Sequence, residues 1–407
     1  MSDAHCIIVG GSHAAANLLP QLRNGGWDGP ITIVSADKQH PYHRPPLSKA
    51  FLSGEKAAGD ILIRPAAFYE KAQADVLLGT RVTAIDRAAS TVSLDDGRTL
   101  AYDKLALATG ARVRTLPIPG ADLDGVLYLR DLADAEALKQ RAAPGKSAVI
   151  IGGGYIGLEA AASLRALGLN VTVLEAMPRI LQRVTTAETS DFFSRVHREE
   201  GVDIITDAQV VAIEGAGDVT GVTLGSGETV AADIVLIGIG VIPNTELAET
   251  AGLVVDNGIQ VDEFARTSDH NIVAAGDCTR HFNPLYHRWI RLESVQNATD
   301  QARVAANTLN GVLEPYAALP WFWSDQYDLK LQIAGLCEEH DRVVIRGSST
   351  EGRSFCAFYF AGDRLLAADA INQPREFMAI RKALAAGKSA DPAVLADPDS
   401  DLATAFS

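Results

Sequence analysis

Thiols are scarce and scattered. The chain has only four cysteines, Cys6, Cys278, Cys337 and Cys356, and no two of them form a C-x-x-C pair. That spacing excludes a disulfide framework, a local redox dithiol and the usual four-thiolate iron–sulfur site. Dispersed thiols fit a reducing compartment, so a cytoplasmic location is expected. No apolar run approaches the length of a membrane-spanning helix. The opening His5-Cys6-Ile7-Ile8-Val9 already reads as a strand, which leaves no room for a signal peptide. Positive charge is also in short supply. Lysine and arginine total 36 against 51 acids, a net charge of -15, which argues against nucleic acid or an anionic membrane as the main partner. What remains is 47% hydrophobic and 21% charged, an ordinary soluble globular composition. The length suits about three domains.

The most informative stretch runs from Ala148 to Glu175. Four apolar residues form a buried strand, followed by Gly152-Gly153-Gly154-Tyr155-Ile156-Gly157, an alanine-rich helix and a second strand that ends at Glu175. Gly152 allows the tight turn, Gly154 lets backbone approach a pyrophosphate, and Gly157 lets the helix lie close on the sheet. The helix start faces the phosphates with unpaired amides, and the terminal acid suits both hydroxyls of an adenosine ribose. A glycine triplet alone would equally suit a merely well-packed strand–turn–helix. Strand, helix and acid together favour dinucleotide binding.

A second, degraded copy of this fingerprint opens the chain. After the strand at 6–10 come Gly10, Gly11, Ser12, Ala14 and Ala15, with serine in place of the middle glycine and alanine in place of the last. The following strand ends Ser35-Ala36-Asp37, so its acid, Asp37, arrives late. Residues 40–49 are too proline-rich for helix or strand before Ser48, and the double proline stiffens a loop carrying Arg44 and Lys49. A hairpin over 81–100 precedes a buried strand that ends in the small residues Ala108, Thr109 and Gly110. Residues 112–120 read as a linker, and a helix begins at Arg130. The second nucleotide unit ends in a strand at 233–240 containing Gly238 and Gly240, and 241–244 is the return linker. Another buried strand leads to Gly276 and Asp277, and Glu293 and Val295 precede a helix. Beyond Pro320, period-two alternation indicates an antiparallel sheet over 329–370 with a helix near 375–386. The acidic tail after Gly387 is expected to be loosely attached.

The strings at 40–49, 152–159, 267–277, 289–298 and 320–334 together resemble the FAD- and NADH-dependent ferredoxin reductases of oxygenase systems. The resemblance covers nearly the whole chain. It implies an α/β fold with two Rossmann-like dinucleotide-binding domains of the glutathione-reductase kind, one inserted in the other, plus a C-terminal α+β domain. The implied boundaries are 1–112 and 241–317 for FAD, 113–240 for NADH and 318–407 for the last domain. The FAD residues it implies are Gly10, Ser12, Ala14, Ala15, Asp37, Arg44, Lys49, Val82, Ala108, Thr109, Gly110, Arg130, Gly276, Asp277, Glu293, Val295 and Trp323. For NADH it implies Gly152, Gly154, Tyr155, Ile156, Gly157, Glu159, Glu175, Arg183, Gly238 and Gly240. Lys49 and Glu159 are expected to pair at the reactive edge of the flavin. The implied partner is a [2Fe–2S] ferredoxin that feeds a monooxygenase or dioxygenase. Ferredoxins of this kind are usually acidic and this chain is acidic overall, so a local basic patch (Arg280, His287, Arg288, Arg291 and Lys330) is expected at the docking site, the alternative being scattered solvated charges.

Ser12 and Ala36 depart from the family pattern, which often has glycine and aspartate there, and leave the adenosine site of FAD open. Disulfide reductases and peroxidases of the same scaffold use a cysteine beside the flavin, where this chain has Pro45-Pro46-Leu47-Ser48. A membrane quinone reductase would want an apolar amphipathic C-terminus, which the acidic tail opposes. The remaining alternative is an NADH-sensing flavoprotein resembling apoptosis-inducing factor. Nothing in the sequence sets the oligomeric state.

Overall fold

A computed structural model describes residues 4–406, which pack as two compact units. The first contains the chain up to His43, Gly59–Arg112 and Ile242–Pro320. Its centre is a parallel sheet in the spatial order Ile272–Ala274, Lys104–Leu107, Cys6–Val9, Ile31–Ser35, Ala74–Leu78. Every residue of Cys6–Val9 is buried, as a strand covered on both faces must be. Its side chains alternate between two cores. Cys6 and Ile8 pack with helices His13–Asn24 and Val295–Leu309, while Ile7 and Val9 pack with Val82, Val92 and Leu94 of a small antiparallel sheet.

The second unit contains Arg44–Ala58, Val113–Val241 and the chain from Trp321. It repeats the plan with strand order Val202–Ile205, Asn170–Leu174, Ser147–Ile151, Ile234–Ile237, Val126–Leu127. A five-stranded antiparallel sheet, Trp321–Gln326 next to Leu329–Gly335, Arg364–Ile371, Phe355–Ala361 and Arg342–Gly347, completes it. Leu158, Phe192 and Phe193 from the nucleotide helices share one core with Leu331, Phe355 and Tyr359 of that sheet. The fold is α/β, with two Rossmann-like halves and a C-terminal α+β portion. Among the described residues, no helix is long and apolar enough to cross a membrane.

Three expectations change. The double proline starts a short 3-10 helix, Pro45–Ser48, because proline suits the first helical positions, where an amide hydrogen has no partner anyway. The C-terminal sheet lacks simple period-two alternation, because Phe355–Ala361 and Arg364–Ile371 are buried on both faces. The tail is not loose. Leu395, Leu402 and Phe406 are buried, and the Arg346 guanidinium donates to the carbonyls of Pro398 and Ser400 at 3.0 and 2.7 Å. Its acids serve as helix caps: the carboxylates of Asp391 and Asp401 accept the amides of Ala393 and Ala403. Strand Ala74–Leu78 and helix Ala187–Glu199 were not foreseen.

Candidate active site

Each unit builds a glycine turn in the same way. Gly152 has φ of +114°, and an added Cβ would lie 2.4 Å from the Gly238 carbonyl oxygen. Gly10 has φ of +120°, and its added Cβ would lie 2.0 Å from the Ala108 oxygen. In both places a side chain is barred by the neighbouring strand end, so the turn's backbone is held against that strand. The side of Gly154 where a Cβ would project is open for 4 Å, helix Tyr155–Ala166 starts there without a side-chain cap, and Ile156 is 47% exposed. An open helix start next to bare backbone fits a pyrophosphate.

The acids differ between the two turns. Glu175 grips its own turn, accepting the Gly153 amide on Oε2 at 2.7 Å and the Met177 amide on Oε1 at 2.8 Å. Asp37 instead accepts the Tyr42 hydroxyl at 2.8 Å and the Gln39 amide at 3.0 Å. The neighbour of Gly11 is Ser35, whose Oγ would be 2.2 Å from an added Cβ. Ser35 therefore occupies the place in the first turn that Glu175 has in the second, so a hydroxyl stands there in place of the terminal acid.

Other first-unit candidates gather at strand ends. Thr109 Oγ1 donates to the Asn244 carbonyl at 2.7 Å, and the Asn244 amide donates back at 2.9 Å, which straps Thr109 and Gly110 in place. The Gly276 amide, next to Asp277, donates at 2.9 Å to Gln301 Oε1, which also accepts the Thr279 hydroxyl. Gln301 was not foreseen. Ser294 caps helix Val295–Leu309 through the Asn297 amide, leaving the Val295 amide at the open helix end. Glu293 pairs with Arg291 at 2.5 Å. Val82 is buried in the core opposite Leu94, so only its backbone can face a ligand. The expected basic patch is partly neutralised, because Arg280 pairs with Asp256 and Arg291 with Glu293.

In the second unit the chemistry converges on Glu159, which sits on the helix after the glycine turn and is 2% exposed. An ionised carboxylate so deep must be paired and hydrogen-bonded. Its Oε2 accepts Lys49 Nζ at 2.7 Å and Ser48 Oγ at 2.6 Å, and its Oε1 accepts Ser324 Oγ at 2.7 Å. The proline loop, the nucleotide helix and the C-terminal sheet thus meet at one carboxylate, and the expected Lys49–Glu159 pair is present. Ser163 Oγ also donates to the Ser48 carbonyl at 2.7 Å, fixing the loop. Arg44 donates to the Arg130 carbonyl, and the Arg130 amide donates at 2.8 Å to Asp134. Trp323 packs against Trp321 with ring centres 5.5 Å apart, and Tyr155 against Phe322 at 5.0 Å. Arg183 is exposed, whereas Arg179 is tied to the Thr185 and Thr186 carbonyls at 2.9 and 3.0 Å. Gly240 has open space at its missing side chain.

No thiol is poised for chemistry. Cys6, Cys278 and Cys356 are buried and Cys337 partly so. Burial raises the pKa of Cys278 and pushes those of Cys6, Cys337 and Cys356 up to about 12.

Comparison with known proteins agrees with this geometry. Residues 4–302 match the pyridine nucleotide-disulphide oxidoreductase family, and residues 321–406 match the reductase C-terminal family. The chain is 46% identical to rhodocoxin reductase of Rhodococcus erythropolis, over 98% of this chain and 94% of that one. It is 45% identical to the ferredoxin–NAD(+) reductase component of the anthranilate 1,2-dioxygenase system of Burkholderia cepacia, over 99% of this chain and all of that one. It also matches the reductase in the crystal structure of the covalent putidaredoxin reductase–putidaredoxin complex, with a TM-score of 0.96 and 43% identity over 99% of this chain and 98% of that one.

Proposed function

Because the chain belongs to the pyridine nucleotide-disulphide oxidoreductase family, we propose that it is an NADH:ferredoxin oxidoreductase with FAD as its resident cofactor. The overall reaction takes one NADH and two oxidised [2Fe–2S] ferredoxins to NAD+, a proton and two reduced ferredoxins, which serve a monooxygenase or dioxygenase in the cytoplasm. Bound FAD accepts two electrons together and releases them singly, which joins a hydride donor to a one-electron acceptor. The observation that carries this proposal is the buried Glu159 bonded to Lys49 and Ser48 of a proline loop that contains no thiol. That loop offers a positively charged, precisely held side chain where the disulfide-reducing branch needs a nucleophile.

Residues 1–112 and 241–317 are assigned to FAD, residues 113–240 to NADH, and residues 318–407 to a C-terminal domain. Gly10, Ser12, Ala14 and Ala15 hold the pyrophosphate of FAD, Asp37 and Val82 its adenosine side, and Arg44 and Arg130 its phosphates. Ala108, Thr109, Gly110, Gly276 and Asp277 line the strand ends beside it. The Val295 amide, at a positive helix end, donates where negative charge gathers on reduction. Lys49 acts on the same charge, Glu159 fixes Lys49, and Trp323 packs near the ring. In the NADH domain the turn at Gly152, Gly154 and Gly157 receives the pyrophosphate, and Glu175 receives the ribose hydroxyls.

The test is an acceptor panel of purified protein, NADH and candidate [2Fe–2S] ferredoxins, with cytochrome c as reporter. Rapid reduction of at least one ferredoxin is expected. Turnover below about one per second with every ferredoxin, under the lower end of the usual enzyme range, would favour the NADH-sensing flavoprotein instead.

A further inference from the structure

We propose that Asp369, on the C-terminal sheet, is a positioning residue for NADH: through Thr185 it anchors the segment at 176–186 that walls the adenosine end of the coenzyme site. This rests on the NADH assignment made above for the Gly152 turn and Glu175.

The segment starts at the ribose acid. The Met177 amide donates to Glu175 Oε1 at 2.8 Å, and the Leu181 amide donates to the Gly153 carbonyl at 2.9 Å. Leu181 has a left-handed backbone with φ of +55°, a conformation that a leucine adopts only when its surroundings impose it. Arg179 curls back onto the Thr185 and Thr186 carbonyls, so the segment is rigid within itself and tied at its near end to the turn. Its far end is held by the other sheet. Thr185 Oγ1 donates to Asp369 Oδ2 at 2.7 Å, and the Tyr359 hydroxyl donates to the same oxygen at 2.5 Å. Thr189 Oγ1 lies 3.3 Å from the Tyr359 hydroxyl and brings in the first turn of helix Ala187–Glu199.

Asp369 is 1% exposed, and no lysine or arginine pairs with it among the described residues. Burial raises its pKa, while the hydroxyls of Tyr359, Thr185 and Thr189 pull the other way. A buried carboxyl without a cation adds little to stability compared with a well-packed apolar residue of similar volume. Its specific effect here is directional, since one oxygen fixes a hydroxyl of the sheet and a hydroxyl of the coenzyme segment together. Losing it frees the far end of the segment, and the displacement reaches Glu175 and Gly153 through Met177 and Leu181.

Asp369→Leu fills the same space without an acceptor, and Asp369→Asn retains one. With the FAD-loaded protein and ferricyanide as acceptor, Asp369→Leu is expected to raise KM for NADH about tenfold, the scale of one hydrogen bond to a charged group, with kcat within about twofold. Asp369→Asn is expected to restore most of the affinity. Thr185→Val, which removes the donor to Asp369 together with a 3.4 Å contact to the Tyr359 hydroxyl, is expected to raise KM about threefold and serves as the test if Asp369→Leu does not fold. Trypsin provides a readout independent of turnover. Cleavage after the exposed Arg183 should accelerate in Thr185→Val and Asp369→Leu, and NAD+ should protect the parent more than either variant. Unchanged KM together with unchanged trypsin sensitivity in Thr185→Val overturns the proposal, as does an Asp369→Asn variant as impaired as Asp369→Leu. A parent protein that shows no NAD+ protection and no NADH turnover would instead remove the NADH assignment.

Discussion

Glu159→Gln tests the centre of the site with almost no change of shape. The carboxylate accepts three hydrogen bonds, from Lys49, Ser48 and Ser324. In the glutamine variant the amide oxygen can keep Lys49 and Ser48, but the NH2 group faces Ser324, which already accepts from Gln326 Nε2 at 3.1 Å. The Ser48 bond loses its charge assistance, the Ser324 hydroxyl loses its acceptor, and Lys49 exchanges an ion pair for an ion–amide bond; at about 1 kcal/mol each, the loss is about 3 kcal/mol. A neutral amide is easier to bury than a carboxylate, and Lys49 is 19% exposed and partly hydrated, so the net destabilisation should be about 2 kcal/mol. The lysine also loses the counter-charge that holds it, and NADH-dependent ferricyanide reduction should fall about tenfold, or about 1.4 kcal/mol of transition-state stabilisation. Because both carboxylate oxygens of Glu159 are taken up by Lys49, Ser48 and Ser324, KM for NADH should stay within about threefold. The assay is steady-state turnover beside thermal unfolding, with the Ser324→Ala single and double variants completing a cycle. Ser324→Ala should destabilise the parent by more than it destabilises the glutamine variant, since only the parent has a charge to satisfy. Full turnover and unchanged stability in Glu159→Gln would refute the reasoning and leave the cluster as passive packing.

NADH should exceed NADPH in kcat/KM by about 100-fold, because Glu175 repels a 2′-phosphate and Arg179 is already spent on backbone carbonyls. Comparable efficiencies would show that the exposed Arg183 reads the phosphate. Replacing Cys6, Cys278, Cys337 and Cys356 singly with alanine should leave NADH-dependent ferricyanide reduction intact, since all four thiols stay protonated near neutral pH. Loss of activity in a variant that retains FAD would overturn the thiol-free mechanism. Acid should destabilise the fold through His197 and His281, whose pKa values burial lowers from 6.5 to about 4. Between those values the unfolded chain binds the extra proton, so their stabilisation is complete above pH 6.5 and is lost as pH falls toward 4, at most about 3 kcal/mol per histidine. His197→Gln should flatten the dependence of melting temperature on pH between 5 and 7, and an unchanged slope would remove His197 from the account.

The nucleotide turns were legible because each is written in consecutive residues: buried strand, glycines, small-residue helix. Lys49 and Glu159 were legible through family resemblance together with the chemistry of a paired lysine beside a reduced flavin. Their partner Ser324 lies on a strand far along the chain, and a serine there has no pattern that marks it. Helix Ala187–Glu199 went unseen although Phe192, Phe193 and Val196 are spaced to share a buried face, because Thr189, Ser190 and His197 interrupt that face and are buried too. They are buried because they are bonded: Ser190 to the Ile180 carbonyl, and His197 to Gln326 and Tyr327. The tail was misread for a related reason. Its acids looked like a solvated run, but two of them cap helices, and the three apolar residues that anchor it are too widely spaced to form a periodic signal.

The strand order of the first unit has a consequence for synthesis. Lys104–Leu107 pairs on one side with Cys6–Val9 and on the other with Ile272–Ala274, which is encoded about 170 residues later. At a translation rate of about 5–20 residues per second, that edge stays open for about 10–30 seconds after it leaves the ribosome. During that interval a row of unpaired amides and carbonyls and the apolar faces of Leu105 and Leu107 are available to any neighbouring nascent chain. The inserted nucleotide-binding segment is made in the meantime. Yield in a heterologous host should therefore respond more to growth temperature and chaperone supply than to substitutions at the site itself.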